Sequence, residues 1–223
     1  ADLNADGQME LVIGATGDDT GGTSAGAVYI LFFDSSGTIS SGTVLRNGEG
    51  GIYNGFIAAG SLFGSGLAAT TEGVAVGAQL VNNLAGAVYV LTLDTDGTFL
   101  GETTIDGNLS SFSGADPQSG DSFGASLATD AAKTHLVIGA SQDSVALSEA
   151  GSIYFMNLTS VCPTPVPTPA PTSDPTPAPT HVPSLSSAKA LFCGTTGMVS
   201  STTVINETVI QEFYTLTQND DFG

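Results

Sequence analysis

The chain has 223 residues and a formal net charge of -19, because its 22 Asp and Glu residues are opposed by only 3 Lys and Arg residues. Nucleic acids and anionic membrane surfaces are bound through Lys and Arg, so this composition argues against both as partners. The acidity indicates either a solvated surface suited to a saline or extracellular setting or the binding of divalent cations. No apolar run approaches the ~20 residues that a membrane-spanning helix needs.

Three similar segments recur along the chain, and each begins with a glycine that follows a short apolar run. These glycines are Gly14, Gly77 and Gly139, spaced by 63 and then 62 residues (77 − 14 and 139 − 77). A repeat of this length, rich in β-branched residues, predicts one small sheet per unit, with the units stacked or arranged radially.

The first unit, at about residues 1–57, is predicted to contain three strands. Residues 9–15 are expected to form a buried strand, and residues 26–33 a second one rich in β-branched and aromatic side chains. A turn that ends at Gly37 then leads into a hairpin partner at residues 38–45.

The second and third units, at about residues 58–117 and 118–160, each open with an additional strand that contains a Phe-Gly pair, Phe63-Gly64 or Phe123-Gly124. A complete unit is therefore predicted to be a meander of four short antiparallel strands. The predicted fold class is all-β, with residues 1–160 forming the repeat segment.

Residues 161–183 are rich in proline and threonine, which predicts an extended polyproline-II stalk that carries O-linked sugars, or else a disordered spacer. Residues 184–223 regain apolar side chains. The spacing of Ile205, Val209, Phe213 and Leu216 fits one face of a helix, and their β-branched neighbours fit a strand nearly as well. Residues 220–223 resemble the opening of a further unit, so we expect the chain to be part of a longer repeat array.

Cys162 and Cys193 bracket the proline-rich tract and are predicted to form a disulfide, the alternative being two separate buried thiols. Asn108, Asn157 and Asn206 each begin an N-glycosylation sequon. Together these features favour a secreted glycoprotein.

The strongest chemical signal is an acidic loop at residues 2–10, where oxygen-bearing side chains alternate along the chain. Ca²⁺ takes ~6 to 8 oxygen ligands, and a loop of this kind is suited to such a cation. The predicted ligands are the side chains of Asp2, Asn4, Asp6 and Glu10, completed by the carbonyl of Gln8 and by water. A strand follows instead of a helix, which favours a β-type calcium loop over an EF-hand; an ordinary Asx-turn loop is the alternative.

The other candidate sites are weaker. The places equivalent to the acidic loop in the second and third units lack its alternating oxygens, and Asp94 to Gly97 is predicted to be a plain hairpin turn. Ser65 lies in a repeated strand whose counterpart is Ala125, so it is not a nucleophile elbow. We therefore expect no catalytic site and no enzymatic activity.

The order of these motifs, a Phe-Gly strand, an Asp-x-Asn-x-Asp-Gly loop, Val-Ile-Gly-Ala and then Ala-Gly-Ala-Val-Tyr-Ile-Leu, resembles the FG-GAP repeats of integrin α-subunit β-propellers and their non-integrin relatives. The resemblance covers residues 1–160. It implies four-stranded propeller blades, Ca²⁺ bound by the Asp-rich loop of residues 2–10, and adhesion or ligand recognition through the loops of the ring.

These observations predict an extracellular or cell-surface propeller segment, non-enzymatic, that binds protein or glycan ligands through its blade loops. Two alternatives stay open from the sequence. In the first alternative the blades are a non-catalytic module of a larger secreted hydrolase. In the second they are a structural component of a cell wall or matrix.

Overall fold

A computed structural model of the chain describes residues 1–107, 116–144 and 150–158, together with the backbone of residues 199–206. The regular secondary structure of these residues is almost entirely β, as predicted. The strands are β1 (Leu11–Ala15), β2 (Ala27–Phe33), β3 (Ile39–Leu45), β4 (Phe63–Ala69), β5 (Gly73–Ala78), β6 (Ala87–Leu93), β7 (Phe99–Ile105), β8 (Phe123–Thr129), β9 (His135–Ala140), β10 (Ser152–Leu158) and β11 (Val199–Asn206). A single short turn, α1 (Val81–Leu84), joins β5 to β6.

The strands form three antiparallel sheets, which we call blades 1, 2 and 3. Blade 1 contains β1-β2-β3, blade 2 contains β4-β5-β6-β7, and blade 3 contains β8-β9-β10-β11, each in simple sequential order. The predicted four-stranded meander is confirmed in blade 2, and the predicted three-stranded first unit in blade 1. Blade 3 also has four strands, but its fourth strand lies outside the predicted unit of residues 118–160.

The outer hairpins of blades 1 and 2 are closed by equivalent turns. The amide of Asp34 donates to the carbonyl of Thr38, and the amide of Asp94 donates to that of Thr98, at 2.9 and 2.8 Å. The side chain of Asp96 accepts the amide of Thr98 within the second turn. Residues 94–97 are thus a plain hairpin turn, as predicted.

The fourth strand of blade 3 comes from beyond the proline-rich tract. In β11, Ile205 pairs with Ile153, in the register that joins Leu45 to Val28 in blade 1 and Ile105 to Val88 in blade 2. For Ile205 the strand interpretation is therefore correct, whereas residues 209–216 lie outside the described residues. Residues 159–198 connect the third and fourth strands of a single blade.

The cores lie between neighbouring blades. Alternate residues of a strand face opposite sides of its sheet, so each blade offers a front face to the next blade and a rear face to the one before. The boundary between blades 1 and 2 buries Val28, Ile30, Phe32, Phe63, Val76 and Leu91. The boundary between blades 2 and 3 buries Val88, Val90, Phe123, Ile138, Tyr154 and Met156.

The exposure of β1 contradicts the prediction of a buried strand at residues 9–15. Met9, Leu11 and Ile13 are 66%, 48% and 41% exposed. The equivalent strand β5 is buried along its whole length. The difference arises because β5 lies between β4 and β6 and its rear face packs on blade 1, whereas β1 is the edge strand of its sheet and no described residues cover its rear face.

Candidate functional site

The acidic loop leads directly into β1 and is folded by its own side chains. Ala5 and Gly7 adopt left-handed backbone conformations, with φ of 61° and 86°. The carboxylate of Asp2 accepts the amide of Gly7 at 3.1 Å, and that of Asp6 accepts the amide of Gln8 at 2.7 Å. These bonds are those of an Asx-type loop, and they turn successive side chains toward one centre.

Three of the predicted ligands meet at that centre. Carboxylate oxygens of Asp2, Asp6 and Glu10 all lie within 4.8 Å of one another. Asp2 Oδ1 and Glu10 Oε1 are buried and have no hydrogen-bond partner among the described residues. At this separation each pair of carboxylates repels by roughly 1 kcal/mol even in water, and a bound cation would relieve this repulsion.

The two remaining predicted ligands lie in the same loop. The Asn4 side chain is held against Asp6, its Nδ2 donating to Asp6 Oδ2 at 3.0 Å while its Oδ1 accepts the Asp6 amide. Gln8 is half-buried and follows Asp6 along the chain. The donor set consists of oxygens alone, which fits Ca²⁺ or another hard divalent cation.

A family model described as the FG-GAP repeat matches residues 1–31. The resemblance to the FG-GAP repeat is therefore confirmed over residues 1–31. The match spans the acidic loop, β1 and most of β2, so the loop belongs to the FG-GAP repeat itself. No curated protein matches the chain.

The turns that occupy the place of the FG-GAP loop in blades 2 and 3 are built differently. In blade 2 the amide of Thr70 donates to the carbonyl of Gly73, which closes a short turn. In blade 3 the carboxylate of Asp130 accepts the amides of Thr134 and His135 and pairs with His135 Nδ1 at 2.9 Å. The hydrogen bond from His135 holds the pKa of Asp130 well below its ordinary range. Within the described part of the chain, only blade 1 gathers three such carboxylates.

The structure contains a repeated Asp–Tyr hydrogen bond that was not predicted from the sequence. Four residues after the repeat glycine of blades 1 and 3, Asp18 and Asp143 accept the phenol groups of Tyr29 and Tyr154 at 3.1 and 2.7 Å. The two spacings are identical, at eleven residues, and this recurrence was readable in the sequence. The pair ties the loop between the second and third strands of a complete blade to the sheet beneath it.

Blade 2 lacks this pair, because its loop is three residues shorter and Val81 stands four residues after its repeat glycine. Its tyrosine, Tyr89, instead packs against the rings of Phe56 and Phe63, with centroids 5.4 and 5.9 Å away. Burial raises the pKa of Tyr89. The loop of blade 2 is instead shaped by Asn82 and Asn83, both left-handed with φ of 56° and 57°.

In blade 1 the guanidinium group of Arg46 also contacts the aspartate of this pair. Arg46 Nη1 lies 3.3 Å from Asp18 Oδ2, and its Nη2 lies 2.6 Å from Glu49. The amide of Thr20, the phenol of Tyr29 and the charge of Arg46 together keep the pKa of Asp18 below its ordinary value. The hydrogen bond to Asp18 raises the pKa of Tyr29.

The other residues that the sequence singled out lie outside the acidic loop. Ser65 Oγ donates to the carbonyl of Gly124 at 3.2 Å and so joins blades 2 and 3. Asn157 is half-buried in β10, opposite His135. Asn206 ends β11, and Asn108, Cys162 and Cys193 lie outside the described residues. No helix among the described residues is long and apolar enough to cross a membrane.

Proposed function

We propose that this chain is an extracellular, non-enzymatic FG-GAP recognition module, which binds protein or glycan ligands through its blade loops and holds Ca²⁺ in the loop of blade 1. FG-GAP repeats are typical of extracellular and cell-surface proteins, and the sequons and cysteines of this chain fit that setting. The observation that carries the metal part is the cluster of Asp2, Asp6 and Glu10, whose carboxylates lie within 4.8 Å of one another.

Calcium has a structural role in this proposal. Asp2, Asp6 and Glu10 supply carboxylate oxygens, and Asn4 and Gln8 complete the donor set. The buried oxygens of Asp2 and Glu10 without hydrogen-bond partners support this assignment, because a buried carboxylate needs a compensating partner. Bound cation stiffens the segment that leads into β1.

The recognition part rests on three loops at one end of the blades. They join β1 to β2, β5 to β6 and β9 to β10, and they differ in sequence although the sheets beneath them share one register. Their exposed polar residues include Asp19, Asn82 and Gln142. Variable loops on a constant scaffold are the usual place for binding residues.

The metal part predicts that Ca²⁺ raises the melting temperature of the chain and gives a saturable heat in calorimetric titration. Asp6→Asn is expected to weaken this binding at least about tenfold, because it removes one charged ligand from the loop. Asp96→Asn removes the same charge from the hairpin turn of blade 2 and is the matched control. Equal calcium affinity in the two variants, or no binding by the wild type, would remove the metal part.

The recognition part is tested separately with a glycan array and with panels of secreted proteins, in the presence of Ca²⁺. Asp19→Ser, Asn82→Ser and Gln142→Ser are expected to weaken any ligand found, while Asp96→Ser at the opposite end of the blades leaves binding unchanged. Binding that survives the three loop substitutions but is lost with Asp96→Ser would place the ligand elsewhere.

A further inference from the structure

The tyrosine of blade 2 has different neighbours from the tyrosines of blades 1 and 3. In blade 1, Asp18 accepts the phenol of Tyr29 and is also contacted by Arg46. The strand registers place Asp106 of blade 2 at the position that Arg46 holds in blade 1. Among the residues that the structure describes, none accepts a hydrogen bond from the half-buried Tyr89. Its phenol is therefore a hydrogen-bond donor that the other two blades use internally.

A second tyrosine, in the connection between β3 and β4, lies on the same aromatic cluster and faces solvent. Tyr53 is 63% exposed. Its ring meets that of Phe56 edge to face, with centroids 5.5 Å apart and an interplanar angle of 70°. Phe56 in turn contacts the rings of Tyr89 and Phe99, at 5.4 and 5.5 Å. The ring of Tyr53 is thus braced from beneath while most of its surface stays open.

Polar side chains of β7 surround this cluster. Thr104 pairs with Tyr89 across β6 and β7, and Glu102 lies two residues before it, so these three side chains share one face of blade 2. Glu102 and Thr104 are both half-buried. Burial raises the pKa of Tyr89, and the charges of Asp106 and Glu102 raise it further, which fits carboxylates that lie near the phenol. The phenol of Tyr53 acts on Tyr89 in the same direction.

This combination of groups matches a neutral sugar better than an ion. The hydroxyl groups of a pyranose both donate and accept hydrogen bonds, so they can serve the Tyr89 phenol and the Glu102 carboxylate together. The C–H face of the same ring packs on an exposed aromatic side chain. The carboxylates repel an anionic sugar. A guanidinium or ammonium group has no acceptor for the phenol proton.

We propose that Tyr53, Tyr89, Glu102 and Thr104, here called the Tyr53 site, bind a neutral pyranose of a glycan. The sugar ring packs on Tyr53, and its hydroxyl groups bond to the phenol of Tyr89 and the carboxylate of Glu102. The site rests on the proposed function only for the glycan-rich surroundings of an extracellular protein. None of its residues belongs to the three loops named above or to the calcium cluster.

The test uses immobilised neutral gluco-, galacto- and manno-oligosaccharides and the same oligosaccharides capped with sialic acid, with Ca²⁺ present throughout. The wild type is expected to bind at least one neutral oligosaccharide and to bind its sialylated form more weakly. Tyr53→Ala should weaken the neutral binding at least about tenfold, because it removes the surface on which the sugar packs. Phe155→Ala is the matched control, since it removes a 41% exposed ring from blade 3, and it should leave binding unchanged.

Tyr89→Phe tests the hydrogen bond separately. It keeps the ring that packs on Phe56 and Phe63 and removes only the phenol donor. Binding should weaken about three- to tenfold, while the melting temperature stays that of the wild type. No neutral binding by the wild type, or equal affinity in Tyr53→Ala and Phe155→Ala, would overturn the proposal. Binding of an oligolysine peptide instead of the sugars, lost in Tyr53→Ala, would also overturn it, because the occupant would then be a cation.

The loop variants Asp19→Ser, Asn82→Ser and Gln142→Ser separate this site from the recognition loops. Neutral-sugar binding that is kept in these variants and lost in Tyr53→Ala supports the Tyr53 site, whatever the loops bind. Neutral-sugar binding that is lost in the loop variants and kept in Tyr53→Ala would overturn the Tyr53 site and leave the proposed function standing.

Discussion

At the scale of single residues, the boundary between blades 2 and 3 carries two buried carboxylates with different partners. Asp121 is 6% exposed and accepts the amide of Gln118 at 2.6 Å. Asp143 is 1% exposed and accepts the phenol of Tyr154. Burial raises the pKa of Asp121, and the nearby charge of Asp143 raises it further. Burial also raises the pKa of Tyr154.

The raised pKa of Asp121 predicts that its ionisation lowers the folding stability of the protein as pH rises. A carboxyl group whose pKa is higher in the folded state favours folding when protonated, and this contribution is lost as pH rises from about 4 through the folded value. Asp121→Asn keeps an oxygen for the Gln118 amide and removes the charge. We expect it to raise the melting temperature at pH 7 and to have little effect at pH 3, as measured by thermal denaturation.

The control is Glu72→Gln, which removes the charge of a half-buried carboxylate in the β4–β5 turn. A stabilisation by Asp121→Asn that is the same at pH 3 and pH 7 would contradict the assignment, since the effect would then not come from ionisation.

At the scale of elements, the repeat glycines lie where the backbone of one strand closely approaches the backbone of the next blade. A Cβ atom on Gly14 would lie 2.1 Å from the carbonyl oxygen of Gly64, and one on Gly77 would lie 1.9 Å from that of Gly124. The sequence located these glycines through their period. Glycine is required at these positions because the packing between blades brings one backbone against another. The same packing buries β5 completely.

We therefore expect Gly77→Ala to destabilise the protein by about 1 to 3 kcal/mol, because the new methyl group displaces a neighbouring backbone segment. Gly101→Ala is the control, since Gly101 lies in β7 of the same blade and has nothing within 4 Å of its Cβ position. It should be neutral or slightly stabilising, because alanine loses less backbone entropy on folding. Urea denaturation compares the two, and equal destabilisation would contradict the close contact.

At the scale of the whole molecule, the proline-rich tract is part of a connection within blade 3. Strand β10 ends at Leu158 and β11 begins at Val199, opposite it. The corresponding connections in blades 1 and 2 are five-residue turns, residues 34–38 and 94–98. The predicted disulfide of Cys162 and Cys193 would close this connection near its base, and it stays a prediction.

If residues 159–198 are an insertion, they are dispensable for folding. Replacing them with the turn sequence of residues 94–98 shortens the connection from about 40 residues to about 5, which lowers the loop-closure cost by about 2 kcal/mol. We expect the shortened chain to keep its β-sheet circular dichroism and to unfold cooperatively at a higher urea concentration. Loss of cooperative unfolding would mean that the tract itself supports the blade.

The sequence by itself determined the fold class, the repeat, the place of nearly every strand and the acidic loop, because alternation of side chains, turn residues and ligand spacing are local properties of the chain. Only the tertiary structure decided that β11 completes blade 3, that β1 is exposed while β5 is buried, and that Asp18 and Asp143 bind tyrosines. Each of these depends on residues brought together from different strands. A strand pattern such as that of residues 199–206 does not name its partner, and an apolar run such as residues 9–15 is buried only where another sheet packs on it.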